Sequence, residues 1–113
     1  MFIPKNLLSA SVQLTASAAT YYTSTNTKTL VTKASVCNND SSVRTFTVYI
    51  IKSGGGAADA TELLVKTRAI APGETQDIPE LQGHLLENGD FVQALADSAA
   101  QVSFFMSGIQ LGL

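Results

Sequence analysis

Apolar and polar residues alternate one by one along much of this chain, and that period of two constrains its fold more than any other feature. Leu8, Ala10, Val12 and Leu14 are interleaved with Ser9, Ser11, Gln13 and Thr15. Successive side chains of an extended strand point to opposite faces, so the pattern specifies a half-buried strand with one wet face. Thr29–Cys37 is rich in β-branched residues, which fit a pleated surface. Val43–Lys52 is the strongest strand. Phe46, Val48 and Ile50 share one face, with Arg44 nearer the end, and Thr45, Thr47, Tyr49 and Ile51 take the other. Both faces are fairly apolar, which predicts a central strand or one beneath a partner. Asn38-Asn39-Asp40-Ser41-Ser42 separates the last two runs. It is the clearest turn in the chain, and so short a spacing predicts a hairpin.

The remaining segments follow the same grammar. Ala19–Thr23 is a short β-prone run, and Ser24–Thr27 reads as a turn. Ser53–Ala60 is a Gly-rich loop. Thr61–Ile70 could be helix or strand; the Pro72-Gly73 turn follows at once, so it is assigned to strand, with Leu63, Val65, Thr67 and Ala69 as its inward set. Thr75–Pro79 is a short strand, Leu81–Leu86 a candidate helical turn, and Glu87-Asn88-Gly89-Asp90 a tight turn. Phe91–Ala96 and Val102–Leu111 finish the sheet across Asp97–Gln101. About eight short strands with turns between them, and no crossover helices, predict one all-β domain over residues 1–113. The expected architecture is a single antiparallel β-sandwich of immunoglobulin-like size, with Greek-key or jelly-roll connections.

Composition narrows the function. Charged residues are 14% of the 113, the net charge is −2, and Ser plus Thr number 23 against 14 Ala. Nucleic-acid affinity comes mainly from Lys and Arg, so such a chain is a poor phosphate-backbone binder. No apolar run approaches the roughly 20 residues that span a bilayer, and the start is not a signal peptide. The expectation is a soluble protein made in a cytoplasm, able to join a particle that leaves the cell. One cysteine, Cys37, excludes an internal disulfide framework and any multi-thiolate zinc site.

The candidate chemical groups are sparse. Gly54-Gly55-Gly56 is followed by Ala57-Ala58-Asp59, not by the Lys-Ser/Thr of a phosphate-binding loop, and reads as a hairpin tip. Cys37 and His84 could form a nucleophile–base pair, but nothing in their spacing brings them together. Asp40, Asp59, Asp77 and Asp90 lie in or near turns without EF-hand spacing; Asx turns account for Asp40 and Asp90. Tyr21, Tyr22 and Tyr49 could stack on a sugar, but tryptophan, the best stacking residue, is absent, and core or sheet-face packing is the favoured reading. No catalytic residue, metal ligand or cofactor is assigned, and the chain is expected not to be an enzyme.

Both ends are apolar: Phe2, Ile3, Leu7 and Leu8 at the start, Ile109 and Leu111 at the finish. Either residues 1–7 form a docking arm that reaches a neighbour, or the end strand is tied into its own sheet. The candidate contact residues are Phe2, Ile3, Leu7, Ile109 and Leu111 with the tips at Asn38, Asn39, Asp40 and Gly54, Gly55, Gly56. Low charge suits an interface, and closed symmetry predicts a dimer or trimer of the chain itself.

The order of Val48-Tyr49-Ile50-Ile51, Ser53-Gly54-Gly55-Gly56, Ala71-Pro72-Gly73-Glu74-Thr75, Glu87-Asn88-Gly89-Asp90 and Val102–Ile109 resembles small β-sandwich structural proteins of tailed bacteriophages and prophages. The resemblance covers about residues 8–110. It implies a virion component: most simply a capsid decoration (cement) subunit held by contacts with the major capsid protein, or else a tail, head–tail adaptor or fibre-associated piece. A carbohydrate or host-surface binding module is the other reading that the residues leave open.

Overall fold

The alternation becomes ten strands in the computed structural model, which describes residues 2–8, 12–55 and 60–112. They are β1 (Phe2–Asn6), β2 (Val12–Gln13), β3 (Ala19–Thr23), β4 (Thr27–Asn38), β5 (Arg44–Ile51), β6 (Leu63–Ile70), β7 (Thr75–Asp77), β8 (Leu85–Leu86), β9 (Phe91–Ala96) and β10 (Val102–Gly112), with one 3-10 turn at Ala60–Glu62. All pairings are antiparallel. The first sheet centres on β10 and β4: β1 and β2 lie along the far side of β10, and β7 and β8 along the far side of β4. The second sheet has the order β3-β9-β5-β6. This is the expected antiparallel β-sandwich. Two strands exceed the expected eight: β1, where a docking arm was one expectation, and β8, inside the expected helical turn.

The core lies between the sheets. Phe46, Val48 and Ile50 of β5 and Val92, Ala94 and Ala96 of β9 face Val31, Ala34 and Val36 of β4 and Val102, Phe104 and Met106 of β10. Fully burying a side chain such as Phe46 or Phe104 contributes about 2–3 kcal/mol. Every buried side-chain nitrogen or oxygen among the described residues is hydrogen-bonded, as a dry interior demands.

A bulge sets which residues look outward. Lys33 pairs with Ser107 but Val31 pairs with Gly108, leaving Thr32 as an extra residue of β4. Val31 and Ala34 therefore both point inward, with Thr32 and Lys33 exposed between them. On β10 the parity holds from Val102 to Gly108. Gly108 sits where any side chain would strike the backbone: a Cβ there would lie 2.3 Å from the Leu30 carbonyl oxygen.

Several expectations are corrected. The turn after β4 does not close a hairpin, because β4 lies in the first sheet and β5 in the second; the segment arches over the end of the sandwich. Nor do β9 and β10 share a sheet. Thr61–Ile70 is a 3-10 turn followed by strand, but its inward set is Val65 and Ile70. Irregular register against β5 breaks the parity, with Thr67 at φ 48°. Leu81–Leu86 holds one turn, in which Gln82 N donates to Ile78 O at 3.2 Å, and then β8. Of the strand expected over Leu8–Thr15, Val12 and Gln13 form β2, Leu8, Leu14 and Thr15 lie outside strands, and Ser9, Ala10 and Ser11 are outside the described residues. The first residues are not a free arm: β1 pairs with β10 from Phe2↔Leu111 to Asn6↔Ser107.

Candidate interaction surface

The outer face of the first sheet carries a row of apolar residues at right angles to its strands. Leu85 of β8 pairs with Leu30 of β4, Leu30 with Ile109 of β10, and Ile109 with Pro4 of β1. The next row carries Lys28 and Leu111, with Glu87 Oε2 3.6 Å from Lys28 Nζ. Lys28, Leu30, Leu85, Ile109 and Leu111 line a shallow trough of about 420 Å³. Further along, Phe105 pairs with Ser35 and Ser35 with Asp77, whose carboxylate takes Lys33 Nζ at 2.9 Å. Leu30 is 38% exposed, Leu85 46% and Phe105 53%. On the outer face of the second sheet, Tyr49, Phe91 and Leu95 are half-buried and Thr47 is buried. The two faces of the sandwich are therefore unequal, and apolar exposure gathers on one.

The sequence-derived contact candidates divide. Ile109 and Leu111 belong to the trough. Ile3 is 48% exposed, but it lies opposite the inward-facing Gln110, at the edge of the face. Phe2 is placed by its backbone alone, opposite Leu111. Leu7 is corrected: it is 5% exposed and part of the core. Asn38 is corrected too, being wholly buried. Its Nδ2 donates to Ser42 O at 2.8 Å and Ile70 O at 3.0 Å, and its Oδ1 accepts Asp40 N at 2.9 Å. Asn39 Nδ2 donates to Ser103 Oγ, and Asp40 accepts Arg44 Nε at 2.7 Å. Gly54 and Gly55 lie beyond the opposite end of β5 from Asn39 and Asp40, so the two tips do not form one surface. Gly56 and Asp59 lie outside the described residues.

The groups weighed for chemistry are engaged elsewhere. Cys37 is level with Thr75 at one end of β4, while the His84 carbonyl accepts Val31 N. Six residues of strand, about 20 Å, separate those levels. Tyr22 is buried, with its hydroxyl 2.7 Å from Thr29 Oγ1 and accepting Gln110 Nε2. Tyr21 stands edge-on to Phe104, ring centres 5.8 Å apart, and its hydroxyl accepts Thr15 N. Among the described residues no three His, Cys, Asp or Glu side chains converge.

The acids serve turns and strand ends. Asp90 is buried and accepts Ser53 N, Glu87 N and Lys52 Nζ. Burial pushes its carboxyl up, but those bonds and the lysine charge outweigh burial and hold it below its ordinary value. The Arg44 hydrogen bond, then Ser41 N–H, holds Asp40 low. Gln76 does the same for Glu74 and Arg68 for Glu80. Burial, reinforced by Lys52 and opposed by Asp90, pushes His84 below its ordinary value.

Leu30, Leu85 and Phe105 are the face residues that reading the sequence by segments overlooks. Each belongs to a doubled apolar pair within a strand: Leu30-Val31, Leu85-Leu86 and Phe104-Phe105. Because side chains alternate, one member of each pair must look outward, and Val31, Leu86 and Phe104 are the buried members. No protein-family model, curated protein or solved structure matches the chain.

Proposed function

We propose that this chain is a non-enzymatic structural subunit of a tailed-bacteriophage particle, a capsid decoration subunit that stabilises the head by protein–protein contact. The observation that carries the reading is the unequal exposure of the two sheets: on the outer face of the first, Leu30 and Leu85 stand exposed in one row with Ile109, beside Leu111, and Phe105 is exposed further along β10. A contiguous exposed apolar patch marks an association site. The motif order of the second half supplies the phage context. The partners are other copies of the chain and the major capsid protein, and the place of action is the virion. Engagement of Tyr21 and Tyr22 inside the sandwich weighs against a sugar-stacking role for them.

The test is reconstitution. Purified chain is mixed with phage heads that lack decoration and sedimented, and head disruption by heat or low ionic strength is followed. Saturable co-sedimentation and a raised disruption temperature are expected. Heads that neither retain the chain nor gain stability overturn the proposal.

A further inference from the structure

We infer that the outer face of the first sheet is the contact of a two-fold homodimer, with β4 of each copy lying across β10 of the other. The inference rests on the reading of that face as the working surface and names its first occupant.

Area is the first support. β10 has 11 residues, and the sheet is four strand positions wide. At about 3.3 Å per residue and about 4.8 Å per strand the face covers roughly 700 Å². Stable pairs bury about 600–1,000 Å² per partner, so the face reaches that range only when nearly all of it is covered.

Charge placement is the second and selects the arrangement. The ionic pairs of the face, Lys28–Glu87 and Lys33–Asp77, all lie on β4 and on its β7 and β8 side. The outward residues of β10 (Ser103, Phe105, Ser107, Ile109 and Leu111) carry no charge. A two-fold axis parallel to the strands, between β4 and β10, lays the charged half of one copy on the uncharged half of the other. Leu30 then meets Ile109 of the second copy, the Lys28 stem meets Leu111, and like charges stay apart. An axis along the apolar row would set Lys28 against Lys33. Two sheets stacked face to face about 10 Å apart are an ordinary sandwich geometry.

The sheet edges are the third. Leu7 N–H donates to Met106 O on β10, so by period two the donors of Ile3 and Lys5 also face β10. Pro4, which has no donor, occupies the free edge, where it blocks strand addition. The β6 edge of the other sheet is irregular and carries Lys66 and Arg68. Two of the four sheet edges, β1 and β6, are thereby ill suited to strand addition.

Size-exclusion chromatography with light scattering over a concentration series tests this. The expected mass is twice the 11.9 kDa of the chain. Leu30→Glu and, separately, Ile109→Glu are expected to return the monomer mass with the circular dichroism spectrum unchanged. In a Cys37→Ser background, chains bearing Leu85→Cys are mixed with chains bearing Pro4→Cys and treated with a short bis-maleimide. Linkage between the two kinds supports the axis, and linkage of Leu85→Cys chains to each other overturns it. A wild-type chain monomeric at every concentration, or a dimer indifferent to both folded glutamate variants, also overturns the inference. A monomer that still sediments with phage heads sinks the dimer and spares the virion reading; a face-dependent dimer that binds no head does the reverse.

Discussion

At the residue scale, the polar side chains that matter most are buried ones. Asn38 joins the end of β4 to the following arch and to the end of β6 through three hydrogen bonds. Asn38→Ala removes all three of these hydrogen bonds, two donated and one accepted, at a buried position. Stranding a buried polar group costs about 1–3 kcal/mol. We expect a loss near the upper end of that range, read from urea unfolding at constant m-value; a loss within error would show that the clamp is dispensable. Asp90 and His84 make stability pH-dependent in the same direction. Both protonate more readily unfolded than folded, so the unfolded chain binds more protons on acidification and stability falls. His84 contributes in full above its ordinary 6.5 and loses that contribution as pH drops through its depressed value. Asp90 contributes in full above 3.8 and loses it below. Urea midpoints should therefore fall in two stages. His84→Gln should abolish the first, and Asp90→Asn should shrink the second, with Asp40, Glu74 and Glu80 supplying the rest. A first stage that survives His84→Gln would refute its assignment.

At the scale of elements, β4 and β10 form the centre of the first sheet, and Gly108 is where β10 has no room for a side chain. A side chain there meets the Leu30 carbonyl at 2.3 Å and the Leu7 methyl at 3.2 Å. The first is backbone and cannot rotate away. Gly108→Val should cost at least about 2 kcal/mol by the usual scale of overpacking, and should lower the thermal midpoint far more than Gly112→Val, where the added carbon meets nothing within 4 Å. Equal effects would show that the sheet adjusts freely. Elements were legible in the sequence where a strand carries its own pattern. β5 has Phe46, Val48 and Ile50 on one face, and Thr47 and Ile51 buried on the other, as its two apolar faces lead one to expect. What was not legible depends on partners. Asn38 looks like any turn residue, because the composition that suits an exposed hairpin also suits a buried clamp at an arch between sheets. The parity of β6 is broken where Thr67 opposes Thr47, a register irregularity without a local signature. The outward row was half visible: Ile109 and Leu111 stood out as a terminal apolar run, while Leu30 joins them only because Thr32 bulges and β8 falls beside it.

For the whole molecule, the decisive question is whether its apolar face serves folding or association. A sandwich has two outer faces made by the same alternation, and nothing in folding alone requires one to be greasier. Here the outer face of the second sheet has its larger side chains half-buried, while the first sheet leaves Leu30, Leu85 and Phe105 at 38%, 46% and 53% exposure. Side chains that open to solvent contribute little to the monomer, and surface substitutions away from special features usually change stability by about 0.5 kcal/mol or less. Leu30→Thr, Leu85→Thr and Phe105→Thr combined keep β-compatible residues on a wet face. The triple variant should unfold within about 1.5 kcal/mol of the wild type, the sum of three such changes, while losing the doubled mass. Should it instead unfold several kcal/mol earlier, these residues are core of the monomer and the face is not a docking surface. Unchanged stability with unchanged association would place the contact elsewhere on the sandwich. Only stability kept and association lost fits a fold whose inner faces make the subunit and whose outer first sheet makes the assembly.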